Sequence, residues 1–289
     1  MKSSFRYQEP RFELLRRDNL VKTLLLVVCA AFFVVFWRES QIDFEKLARG
    51  LPKIASWTVQ MFPPNIQNIN EILRAAFETL AMATTGTFFA LIFAVPLAFL
   101  GARNTTPHPV VYHAARWILN ITRGTETLVF ALIFTAAIGF GPFTGVLAIA
   151  FHMMGAIGKM LAEVIEPAEQ GPMDAMALTG ASRIKVLRYA LLPDVMPNFV
   201  AVTLYMWEFS VRTSTILGIV GAGGIGQTLK NTIDLLDFPQ MITVLAVILT
   251  MVTLMDMLSD ALRRRILQDR AAGQTIAPRR LSEEVPNRA

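Results

Sequence analysis

Long apolar runs, separated by short polar stretches, dominate the pattern along the chain. A membrane-spanning helix needs about 20 mostly apolar residues, because each residue rises about 1.5 Å through about 30 Å of hydrocarbon. Six stretches reach that length: 20–37, 79–102, 110–139, 143–165, 198–220 and 239–262. The third is interrupted by Arg123 and Glu126. Residues 103–126 therefore allow two paths, one long tilted helix or a surface helix followed by a shorter span. The pattern predicts an all-α integral membrane protein with six transmembrane helices.

Two less apolar segments carry patterns of their own. Between the first two runs, Ile42, Phe44, Leu47, Leu51, Ile54 and Trp57 recur at helical spacing as far as Pro63-Pro64. That spacing predicts an amphipathic helix, either lying on the outer membrane face or packed on the bundle. The second segment, DAMALTGASRIKVLRYALLP at 174–193, predicts two short helices. Asp174 opens the first, and Gly180 suits the position just past its end, where positive φ is common. Ala181 to Leu192 forms the second, ended by Pro193. Ala175, Ala177 and Ala181 are small and leave room for close contact with a partner. The polar tail from Gly273, with Pro278 and Pro286, reads as flexible.

Basic residues set the orientation. Lys2, Arg6, Arg11, Arg16 and Arg17 precede the first run, Lys22 stands at its start, and Arg263, Arg264, Arg265 and Arg270 follow the last. In the loop 38–78, Arg38, Lys46, Arg49, Lys53 and Arg74 are matched by Glu39, Asp43, Glu45, Glu71 and Glu78. An excess of Lys and Arg marks the inner side. Both termini are thus predicted to be cytoplasmic, which requires an even number of spans. The 174–193 segment, with Arg183, Lys185 and Arg188, then falls inside as well.

Composition agrees with a membrane protein: 54% of residues are hydrophobic and 17% charged, against about 25% charged in soluble domains. The net charge of +5 does not suggest a nucleic-acid partner, because the basic residues sit at segment ends rather than on one face with aromatics. Enzyme signatures such as H-E-x-x-H or G-x-S-x-G do not occur. His108, His113 and His152 are scattered, so neither metal nor cofactor is expected.

Two constellations are candidate chemistry. Glu208 and Arg212, at i and i+4, lie mid-run in the fifth segment; Arg123 and Glu126, at i and i+3, interrupt the third. Ionisable residues inside spans are costly and mark functional sites or buried pairs. Each pair either neutralises itself on one helix face or lines a water-filled path for an anion. Lys159 with Glu163 reads as an interface pair. The cluster GAGGIGQT, with Gly221, Gly223, Gly224 and Gly226, mimics nucleotide motifs but fails them. Gln227 stands where a P-loop needs lysine, and Ala246 where a dinucleotide site needs an acid. A structural turn after the fifth span fits these glycines better.

The 174–193 segment resembles the cytoplasmic coupling loop of ABC-importer permeases, whose pattern is E-A-A, three residues, Gly, nine residues, Ile, one residue, Leu-Pro. Asp174, Ala175, Gly180, Leu192 and Pro193 match in type and spacing. Asp174 replaces Glu but keeps its charge; Met176 and Ala190 depart from the pattern. YMWEFSVRTSTILGIVGAGGIGQTL (205–229) and ALIFTAAIGFGPFTGVLAIAFH (131–152) are similar to the phosphonate-import branch, which includes phosphite and hypophosphite permeases. The likeness covers roughly 75–268.

The resemblance implies a core at 76–268 with a coupling loop at 166–193. It is preceded by an N-terminal region at 1–75 and followed by a cytoplasmic tail at 269–289. It implies a non-enzymatic inner-membrane subunit that pairs with a second copy, with two ATP-binding subunits, and with a periplasmic or lipid-anchored substrate-binding protein. Asp174, Ala175, Ala177, Gly180, Leu192 and Pro193 would couple the chain to the ATPase. Two alternatives stand beside this reading: a stand-alone secondary transporter, or a permease for another small solute such as an amino acid.

Overall fold

The computed structural model describes residues 17–168 and 170–274. The structure is helical, with no strand among the described residues. Two units separate by their internal contacts, residues 1–59 and 60–289.

The first unit holds α1 (Arg17–Glu39) and most of α2 (Phe44–Gln60). The run Val21–Glu39 of α1 has no buried residue, and its Leu, Val and Phe side chains are exposed. A helix apolar all round and uncovered by protein is suited to lipid. In α2, Asp43 opens the helix by accepting from the N–H groups of Glu45 and Lys46 at 3.0 Å. The predicted amphipathic segment is therefore a helix, and its Leu47, Leu51, Ile54 and Trp57 side chains are exposed.

The second unit is built on α3 (Ile69–Leu100) and α6 (Pro142–Ile165). These two make the most extensive contact between any helices described. The reason is visible at i+4 spacing. Gly86, Ala90, Ala94 and Ala98 form a groove of small residues on α3. Ile149, Met153, Ile157 and Leu161 form a ridge on α6, all fully buried. Ridge enters groove so closely that a Cβ at Gly86 would lie 2.8 Å from Ile149 Cβ. Lipid tails are as apolar as leucine, so close packing of small residues, rather than hydrophobic exclusion, holds membrane helices together.

The predicted third span is two helices, α4 (Pro109–Gly124) and α5 (Thr127–Ile138), bent by 87°. The break falls at Gly124, where Thr125 turns extended (φ −94, ψ 121). His152 on α6 contacts the freed Thr125 carbonyl at 2.8 Å, so this histidine is a packed, hydrogen-bonded residue. Gly155 lets α4 cross close to α6, since a Cβ there would strike the Thr122 hydroxyl and the Arg123 backbone.

The chain continues through α7 (Gln170–Leu178), α8 (Arg183–Val186) and α9 (Leu192–Leu217). It ends with α10 (Gly224–Asp234) and α11 (Phe238–Gln274). Among the described residues, four helices are long and apolar enough to cross a membrane, or five if α4 and α5 form one broken span. The predicted fifth span corresponds to α9, which has the length but carries Asp194, Asn198, Glu208 and Arg212 and so falls short in apolarity. The predicted tail at 269–289 begins inside α11, which continues to Gln274; its remainder, like residues 1–16, lies outside the described residues.

Candidate functional site

The first candidate surface is the segment after α6. The predicted helix there starts earlier than Asp174, at Gln170. Asp174, Ala175 and Ala177 are exposed on α7. Gly180 follows with φ +78, its N–H bonded to the Ala177 carbonyl at 3.0 Å. Nothing lies within 4 Å of where its Cβ would stand. The glycine is needed by the backbone turn rather than by crowding.

Pro193 does not end the second helix, contrary to expectation. Residues Leu187–Leu191 wind as a π-helix and pass without a break into α9, where Pro193 takes the first turn. Leu192 donates its N–H to the Leu187 carbonyl, five residues back. A π-turn shifts the register, and proline's missing N–H is harmless in a first turn. Residues 183–191 and α9 are therefore one continuous helical rod from Arg183 onward.

The second candidate is a charge cluster between α9 and α11. Arg212 Nη2 meets Glu208 at 3.3 Å, as the sequence spacing suggested, and also Asp256 on α11 at 3.5 Å. Arg263 lies between Glu208 at 3.8 Å and Asp260 at 3.7 Å. Those distances permit ion pairing but not hydrogen bonding, and Arg263 Nε and Nη2 are buried with no hydrogen-bond partner. Two arginines thus stand among three carboxylates. Glu208 is mid-run in sequence, yet it sits level with Arg263, where the apolar run of α11 ends in Arg263-Arg264-Arg265.

The other predicted pairs do not form. Arg123 and Glu126 are both exposed at the α4–α5 break and make no ion pair among the described residues. Lys159 reaches across to Asn120 Oδ1 at 2.8 Å rather than to Glu163. Sequence reasoning missed Asp256, Asp260 and Arg263 as members of the cluster, and Arg116 with Glu166, an ion pair at 2.7 Å. Beside that pair, Arg103 donates to the Tyr112 hydroxyl at 3.2 Å, a bond that raises its guanidinium above the ordinary arginine value.

Residues 86–268 match the model of the binding-protein-dependent transport system inner membrane component family. The chain belongs to this family. It is the permease component of an ABC importer, a multi-pass protein of the inner membrane. The permease is 61% identical over 252 residues to the putative phosphite transport system permease protein HtxC of Stutzerimonas stutzeri, covering 87% of this chain and 89% of that one. It is 40% identical over 238 residues to the phosphite transport system permease protein PtxC of the same organism, covering 82% and 86%. In fold, it resembles an inward-facing crystal form of the MetNI methionine ABC transporter, with TM-score 0.62 at 21% identity over 70% of this chain and 99% of that one.

In the permease, the glycine cluster packs against Glu78, Thr79 and Met82 of α3. Gly221, Gly223 and Gly224 have φ of +91, +88 and +69. Gly221 donates no side-chain bulk against Phe140, whose ring fills the place of its Cβ. The Thr79 hydroxyl on α3 accepts the N–H of Ile225 at 2.8 Å, satisfying a donor at the N-terminus of α10. Gly226 faces the Thr215 carbonyl so closely that no Cβ fits between them.

Proposed function

We propose that the permease imports a small phosphorus oxyanion of the phosphite or phosphonate class. The observation that carries this reading is the 61% identity, across most of both chains, to a putative phosphite permease. Orientation follows from the basic flanks: both termini and residues 166–193 face the cytoplasm, and α9 serves as a sixth span despite its charges. Two copies of the chain form the path, and two ATPase subunits sit below them. A binding protein delivers substrate from outside.

ATP closes the ATPase pair, and the docked α7 segments move with it. Packed interfaces shift between discrete arrangements, so a docked helix transmits motion as a rigid body. The exposed Asp174, Ala175 and Ala177, and the free space around Gly180, support docking of a partner there. Hydrolysis is the partner's chemistry; the permease supplies path and coupling.

The test is reconstitution of the permease with its ATPase and binding protein in proteoliposomes. Expected is ATP-dependent accumulation of phosphite or a small alkylphosphonate; accumulation of an amino acid instead overturns the substrate class. Gly180→Asp places a charge at the docking turn and should abolish uptake and substrate-stimulated hydrolysis while the chain still inserts. Normal uptake by the inserted variant removes the coupling role. Arg212, half exposed beside the path, should contact the passing anion. Arg212→Gln is then expected to reduce uptake about tenfold, the loss typical of one charge-assisted hydrogen bond. Wild-type uptake by that variant leaves the Glu208–Arg212 pair a structural one.

A further inference from the structure

The short connection 101–108 between α3 and α4 touches the coupling segment at both of its ends. On the entry side, Arg116 of α4 donates from Nη2 to Glu166 at 2.7 Å and from Nε to the Gly101 carbonyl at 2.7 Å. Asn104 Nδ2 donates to the Ile165 carbonyl at 2.7 Å. On the exit side, Arg183 Nη2 donates to the carbonyls of Thr105 and Thr106, at 3.0 and 2.7 Å. The connection is itself anchored. The Thr105 and Thr106 hydroxyls donate back to the Phe99 and Leu100 carbonyls, and Ala102 and Thr105 are buried.

Between these attachment points, α7 is exposed over most of its length and is followed by the Gly180 turn. A short exposed helix held only by its own chain would swing on that turn when a partner pushed it. Held at both ends, it forms a closed frame with α3 and α4. Arg183 suits this role because the fixed geometry of its guanidinium presents donors to two successive carbonyls.

We infer that the 101–108 connection is a strut, with Arg183 as its positioning residue, that passes displacement of α7 into α3 and α4. This rests on the coupling role proposed above for 166–193. The strut adds a second route into the membrane domain, parallel to the continuous rod from Arg183 into α9. One push on α7 then moves both helices flanking the Thr87–Ser210 contact, α3 directly and α9 by continuity.

The test uses the assembled complex in proteoliposomes and reads the ratio of substrate transported to ATP hydrolysed. Arg183→Gln should leave ATPase co-purification and basal hydrolysis at wild-type levels while that ratio falls about tenfold, a coupling loss within the usual range for linked sites. Arg183→Lys, which keeps a charged donor, should recover part of the ratio. Asn104→Ala should lower it too, by weakening the entry side. An unchanged ratio in assembled Arg183→Gln complex overturns the strut. Loss of the ATPase subunit from that variant also overturns it, since Arg183 would then serve docking itself. If the wild-type chain neither retains an ATPase nor transports, the failure belongs to the proposed function rather than to the strut.

Discussion

Gly226→Ala should leave little folded permease in the membrane, and what survives should melt well below the wild type. One methyl group has this effect because of what it meets. The Cβ would fall onto the Thr215 carbonyl and 3.1 Å from Gly218 Cα, both of them backbone atoms. No rotamer change relieves a backbone clash, so α9 and α10 must separate. Their separation disturbs buried Ile225 and the Thr79 hydroxyl that accepts its N–H. Overpacking a tight core costs about 1–3 kcal/mol, and a forced backbone shift puts this case at the upper end. At about 2–4 °C per kcal/mol for a chain of this size, the melting temperature in detergent should fall by about 8 °C. Gly180→Ala is the control. Its φ of +78 imposes a strain of about 1 kcal/mol on a side chain, but the site is open. That variant should therefore insert and melt close to wild type. Equal melting temperatures for Gly226→Ala and wild type would show that α9 and α10 do not pack as described.

The membrane architecture was legible wherever the apolar pattern is a run, and less so where it is a stripe. α3 begins at Ile69, upstream of the run starting at 79, because its first turns carry Asn70, Glu71, Arg74 and Glu78 on one side. Ile72 and Ala76 are buried on the other, at the i+4 spacing that a window average conceals. The break between α4 and α5 had its signal in Gly124 and the flanking charges, but its sharpness depends on Gly155 admitting α4 against α6. No local pattern gives that. Positive φ at Gly180 was readable because a helix-ending glycine is a local event. The fate of Pro193 was not, since a π-turn two residues earlier reset the register and let the helix run on.

The charge cluster divides the same way. Glu208 and Arg212 announce each other at i and i+4 on one helix. Their partners Asp256 and Arg263 lie on α11, and only the packing of α11 on α9 brings them near. A hint was present: Asp256 and Asp260 stand at i and i+4 within the last apolar run, where two like charges on one face ask for a cation from elsewhere. In sequence, Arg263 belongs to the basic flank that sets topology. It does close the apolar run, and in the folded chain it also turns inward to Glu208.

Glu208→Gln should be the most destabilising of the charge-removing changes in this cluster. The Glu208 and Arg263 side chains are only 17% and 30% exposed, whereas Arg212 is 53% exposed. Arg263 already has two buried nitrogens without a hydrogen-bond partner. Removing the Glu208 charge leaves this half-buried cation only the more exposed Asp260, at 3.7 Å, as a counter-charge. Breaking a fully buried pair costs about 3–5 kcal/mol, and the residual exposure here lowers that to about 2 kcal/mol. Arg212→Gln should cost less than about 0.5 kcal/mol of stability, as for a surface pair. The decisive comparison is the double variant Glu208→Met with Arg263→Met, which removes both charges and keeps the volume apolar. It should recover stability lost by Glu208→Met alone, with a coupling energy of about 1 kcal/mol or more in the double-mutant cycle. Additive losses would mean that the two side chains do not sense each other, and that α11 is not held to α9 through this pair. Uptake measured on the same variants separates a clamp from a path. If the double variant is stable yet transports nothing, the charges serve the passing anion as well as the joint between helices.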